Sequence, residues 1–182
     1  MDYLNFVPKQ ITYFDLVDMS PCYSPDEIGI PENYSAHISD FIKEYRHKVR
    51  SLEDIIWVVC RSEYMTDQDM RLFAVWCARQ ALKKVKTPDP IIMEICTIAE
   101  SYAKGAEGAD ELIRINRIAF EIARSTPRPD HTPYIAVYGS TKIQERDAAW
   151  SASWSAIASV RRDEIKQKRN IQIDKLLTYF EQ

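Results

Sequence analysis

The sequence predicts an all-α protein: a single-domain helical bundle with an irregular, aromatic-rich N-terminal arm and a long C-terminal helix. Three observations carry this. The chain has 182 residues, enough to enclose one core. It has only four glycines, too few for a turn-rich β fold. Beyond residue 34 its apolar residues recur at helical spacing between capping signals.

Residues 1–34 are punctuated by Pro8, Pro21, Pro25, Gly29 and Pro31 and are rich in tyrosine and phenylalanine. So many aromatics are costly in water, so the arm is expected to pack on the core; Ile11 to Met19 fits a short helix. The bundle domain then spans residues 35–182. Its first helix is expected from about Ser35 to Val49, where Ile38, Phe41, Ile42 and Tyr45 form one stripe. Ser51-Leu-Glu-Asp54 reads as a capping box with Asp in place of Glu, and it favours helix for Ile55 to Cys60. Thr66-Asp-Gln-Asp69 opens another helix, to about Val85. Its centre, Leu72 to Ala78, is apolar all round, which marks a core spine with Leu72, Phe73, Trp76 and Cys77 buried. Asp89 and Pro90 start the next helix and Gly105 ends it. A further helix covers about Asp110 to Arg124. Tyr134 to Tyr138 is compatible with a strand or a helical turn. From Lys142 to Phe180 no proline or glycine occurs, giving one long helix or two helices broken near Lys166 to Asn170.

The net charge of −3 gives no global attraction to nucleic acid or an acidic membrane. No apolar run approaches the roughly 18 residues of a membrane span, and the first residues do not form a signal peptide. Cys60, Cys77 and Cys96 lie in apolar periodic segments and read as buried thiols of a reducing cytoplasm rather than a disulfide framework.

Candidate chemistry is sparse. His37, Asp40, Glu44 and His47 share a helix face, but stretch over about 15 Å of axis, too far for one ion; a solvated face is the simpler reading, and no metal is expected. Gly139-Ser-Thr-Lys142 lacks the leading glycine of a phosphate loop. Asp130-His131 is a weak acid/base pair. No nucleophile is placed beside a base, so no catalytic residue and no cofactor is assigned. The C-terminal tract offers more. Trp150, Trp154, Ile157, Ile165, Ile173, Leu176 and Phe180 advance by 3, 4 or 8 residues, and steps of four place Arg161 and Arg169 on the same stripe. A core stripe should not carry two unpaired arginines. Either the helix breaks and both reach solvent, or they project into a cleft beside Trp150 and Trp154 and clamp an acidic group. These four residues are the candidate binding site.

Asp69-Met-Arg-Leu-Phe-Ala-Val-Trp-Cys-Ala-Arg79, Ile98-Ala-Glu-Ser-Tyr-Ala-Lys-Gly105 and Asp147-Ala-Ala-Trp-Ser-Ala-Ser-Trp154 occur in an order that resembles a family of all-helical immunity proteins of bacteria and phages. The resemblance covers residues 66–182; the Ala/Trp tract is shorter here and serine-substituted, and residues 1–50 have no counterpart. It implies a cytoplasmic, non-catalytic binder that neutralises a protein partner, a toxin or a host defence protein, by occupancy. The residues themselves leave three rivals: a protein that sequesters a small, nucleotide-like anion between arginine and tryptophan, an enzyme whose chemistry the sequence does not display, and a homo-oligomer built through the C-terminal helix.

Overall fold

The computed structural model describes residues 10–127, 131–158 and 160–181, and is mostly helical. Capping chemistry sets the helix starts. In α3, Leu52–Val59, Ser51 and Asp54 close the expected capping box. In α4, Asp67–Leu82, the Thr66 hydroxyl accepts from the Asp69 amide. In α5, Pro90–Ala103, the Asp89 carboxylate accepts from the Ile91 amide, and Gly105 follows at φ +76°. Next comes α6, Ala109–Ser125.

The arm is more ordered than its punctuation suggests. A strand β1, Gln10–Thr12, leads into α1, Tyr13–Asp18, and a 3-10 turn follows at Pro25–Ile28. Residues 35–37, expected to open a helix, instead form β2, Ser35–His37, antiparallel to β1 with Ile11 opposite Ala36. The first bundle helix is therefore shorter, α2, Ile38–Tyr45. The ribbon stitches the arm to the bundle across the expected boundary at residues 34 and 35, and Ile11, Leu16 and Ile30 are buried.

Helix α4 is the spine. Phe73, Ala74, Cys77 and Ala81 face one core, shared with the arm, α2, α3 and the C-terminal helices. Val75, Ala78 and Leu82 face a second, shared with α5 and α6. Phe73 and Cys77 are buried as expected, but Leu72 and Trp76 are only half-buried. They lie on the third side of the helix, away from the centres of both cores, with the Trp76 ring stacked on Phe73 at 6.2 Å.

Tyr134–Tyr138 belongs to a helix, α7, His131–Ser140. It packs on α4, α6 and α8, so both of its sides are apolar and no periodicity shows. α8, Glu145–Ala158, buries Ala148, Ala149, Ala152 and Ala156, small side chains that allow α4 and α7 to come close. The tightest point is Gly139 on α7. An added Cβ there would lie 2.9 Å from the Ala152 backbone N and 3.0 Å from the Ser151 carbonyl carbon. Gly139→Ala should therefore destabilise by about 1–3 kcal/mol despite alanine's better helix propensity. A denaturant midpoint equal to or above wild type would contradict this packing.

Arg71, buried in α4, closes the α7–α8 turn. It donates to the carbonyls of Lys142 (3.0 Å) and Ile143, pairs with Glu145 at 2.6 Å and lies over Tyr102.

The C-terminal tract is helical and interrupted, as one of the two expectations had it, but earlier in sequence. After α8 the chain turns extended at Arg161 (φ −61°, ψ 146°), makes a 3-10 turn at Arg162–Glu164 and enters α9, Ile165–Leu177. Residues 166–170 are continuous helix. The turn sends α9 across α8 to meet α2, α3 and α4.

Candidate functional site

The crossing of α9 over α3 decides where the candidate residues go. Arg161 and Arg169 do not converge. Arg161 sits at the turn, exposed, 3.1 Å from Asp163, and has reached solvent as the break predicts. Arg169, one turn inside α9, is 1% exposed. It belongs neither to a solvent edge nor to an open clamp, because it has found a partner 116 residues away. Its Nε donates to Glu53 of α3 at 2.9 Å; Nη1 donates to Gln172 Oε1 at 2.7 Å and to the Ser153 carbonyl at 3.2 Å. Gln172 in turn donates to the same carbonyl at 3.1 Å. Arg169 thus ties α3, α8 and α9 together, which is how a buried guanidinium is tolerated.

The structure does bring Trp150, Trp154 and Arg169 together. The two indoles meet edge to face with centroids 5.8 Å apart, and the Arg169 guanidinium lies 5.2 Å from the Trp154 ring. Trp154 nevertheless remains 46% exposed. Trp150 is half-buried and faces the other way, into an apolar cavity of about 330 Å³ under the arm, walled by Leu16, Ile30, Phe41 and Ile55.

Arg169 also lines a second, polar pocket of about 540 Å³. One wall is the α2–α3 connection, with Arg46, Arg50 and Glu53; the other is the start of α9, with Arg162 and Lys166. Five cations face one carboxylate. Arg46 pairs with Asp174 at 2.7 Å, Arg50 with Glu27, and Arg169 with Glu53. Arg162 and Lys166 have no ion-pair partner among the described residues. The Arg46 Nε and Arg169 Nη2 donors are buried without an acceptor.

Burial pushes the Glu53 carboxyl up, but the Ser51 hydroxyl and Arg169 outweigh it and hold Glu53 below its ordinary value. A carboxyl depressed in the folded state stabilises the fold above its unfolded pKa, and that contribution is lost as pH falls through the folded pKa. Glu53→Gln should therefore be less stable than wild type at about pH 7, with the gap narrowing toward about pH 3. Urea midpoints across that range check this; a gap that stays constant would contradict it.

The other sequence candidates have structural duties. His37 caps α2, accepting from the Ser39 amide, and Glu44 pairs with Lys48 at 3.1 Å. Among the described residues no group of three or more His, Cys, Asp or Glu could hold a metal ion. Gly139 to Lys142 is a helix end, where the Ser140 and Thr141 hydroxyls donate to the carbonyls of Val137 and Tyr138. Asp130 lies outside the described residues; His131 Nδ1 is hydrogen-bonded to the Ala123 carbonyl at 2.9 Å. Cys60, Cys77 and Cys96 are buried free thiols, pushed up by burial, Cys60 to about 12 and Cys96 to about 11. No described helix is long and apolar enough to cross a membrane.

Sequence reasoning missed Glu53, Ser51, Arg46 and Gln172. Ser51 and Glu53 were visible only as part of a helix start, and nothing local connects them to Arg169.

No family model matches the chain, and no curated protein or solved structure matches it.

Proposed function

We propose that the protein works by binding rather than by chemistry, as a cytoplasmic inhibitor that neutralises a partner protein by occupying it. The observation that carries this reading is Trp154: a large aromatic, 46% exposed, yet fixed by Trp150 on one side and by Arg169 on the other. An aromatic already ordered at the surface loses little freedom on docking, and tryptophan and arginine dominate binding hot spots. Arg161, Arg162 and Lys166 are exposed close by in sequence and suit a partner with an acidic face. The resemblance of residues 66–182 to immunity proteins supports a toxin or a host defence protein as that partner. In this reading Trp154 is the anchor, and Arg169 positions it while remaining bound to Glu53.

The test uses wild-type protein and Trp154→Ala as baits in a lysate of host cells, with melting temperatures measured in parallel. The reading expects one stoichiometric protein retained by the wild type and lost by the variant, whose fold persists. Equal retention by both baits, or no stoichiometric protein on the wild type, would sink it.

A further inference from the structure

We infer that the polar pocket between the α2–α3 connection and α9 is a binding site for a small, multiply charged phosphate compound. Of the five cations lining the pocket, Arg46, Arg50 and Arg169 are each offset by one carboxylate, whereas Arg162 and Lys166 are offset by none among the described residues. The pocket therefore carries an excess of two positive charges, contributed by one wall. That wall is the 3-10 turn at Arg162–Glu164 running directly into the first turn of α9, a helix of 13 residues whose N-terminus has no side-chain cap. Its dipole adds to the same field.

The hydrogen-bond inventory agrees. Arg46 Nε and Arg169 Nη2 are buried without acceptors, and both residues line this pocket. A buried charged donor without an acceptor is costly, and such groups call for an explanation. An oxygen-rich anion is the occupant that changes this balance; the two donors have almost no exposed surface, so small side-chain shifts accompany its entry.

Size and lining narrow the class. About 540 Å³ exceeds the needs of a single oxyanion and falls in the range of sites for whole small molecules. Apart from the His47 imidazole the described lining has no aromatic ring, so a nucleobase finds no tryptophan, tyrosine or phenylalanine face to stack on. Trp150 and Trp154, which a nucleotide clamp would need, are not in this wall. A planar carboxylate satisfies one guanidinium fork, whereas tetrahedral phosphates offer oxygens to both walls at once. The geometry points to a compact di- or polyphosphate, or a phosphorylated polyol, recognised through its phosphates.

The experiment is calorimetric titration of the full chain with inorganic pyrophosphate at fixed ionic strength, with orthophosphate, citrate, tripolyphosphate and ATP as comparators. Pyrophosphate should bind saturably and raise the melting temperature, orthophosphate and citrate should bind at least about tenfold more weakly, and ATP should gain nothing over tripolyphosphate. The exposed pair Arg162→Glu/Lys166→Glu should lose binding at least about tenfold while remaining folded. Lys86→Glu/Arg117→Glu, which makes the same change in net charge elsewhere on the surface, should not. No saturable pyrophosphate binding, or equal loss in both double variants, overturns the proposal. So does an ATP affinity well above that of tripolyphosphate, since it would mean the base is read. Trp154→Ala should keep pyrophosphate binding, so this site and the protein-partner reading can fail separately.

Discussion

Replacing Arg169 with alanine should cost about 3–5 kcal/mol, a large share of the stability of a domain of this size. The loss has two parts. The three hydrogen bonds from Nε and Nη1 disappear; Glu53 and the Gln172 side-chain carbonyl lose this donor, while the Ser153 carbonyl keeps the Gln172 amide. The Glu53 side chain is only 19% exposed, so it cannot simply return to water. Arg169→Lys should recover little, because lysine keeps the charge but cannot serve Glu53 and Gln172 through one planar fork. Glu53→Gln/Arg169→Met, which removes both charges together, should be more stable than Arg169→Ala. Urea unfolding of the variants checks the order. An Arg169→Ala midpoint near wild type would mean that the guanidinium is not buried between α3, α8 and α9.

Phe73→Ala should be equally damaging, at about 3–5 kcal/mol, and should exceed Trp76→Ala, at about 2 kcal/mol. Phe73 is fully enclosed where α4 faces the arm, α3 and α8, so its loss opens a cavity that backbone-close helices cannot collapse. Trp76 is the larger side chain but is only half-buried. The two denaturant midpoints decide: a larger cost at Trp76 would place the centre of the core on the wrong face of α4.

These two residues also show what a sequence can and cannot carry. Signals that act within one turn were readable: the Ser51–Asp54 capping box, the Thr66 cap, the Asp89–Pro90 start and Gly105 each mark the helix end the structure has. The apolar centre of α4 gave the spine but not its azimuth, because an all-round apolar helix has no periodicity to say which side faces which core. For the same reason Tyr134 to Tyr138 was ambiguous. The β1–β2 ribbon pairs residues 23 to 27 positions apart, with Gln10 opposite His37, and its three-residue strands are too short for alternation to show.

The site was half legible. Periodicity placed Arg169 on a buried stripe, but the two outcomes it offered were a solvent edge and a clamp on an acidic ligand; it could not supply Glu53, because that pairing depends on how α9 crosses α3. It also put Arg161 on the same stripe, since nothing in the sequence marks the turn at residue 161. No proline or glycine is needed there: Arg161 takes an extended conformation open to any residue, and the gain comes from α9 returning to the core.

On the proposed reading the protein acts through the surface around Trp154. Hydrogen–deuterium exchange of the complex with its captured partner tests this most directly. Protection on binding should fall on the end of α8 around Trp154 and on the turn into α9, residues 160–166, and be small elsewhere. A footprint on the outer faces of α5 and α6, where Ile91, Met93, Ile113 and Phe120 are exposed, would contradict it.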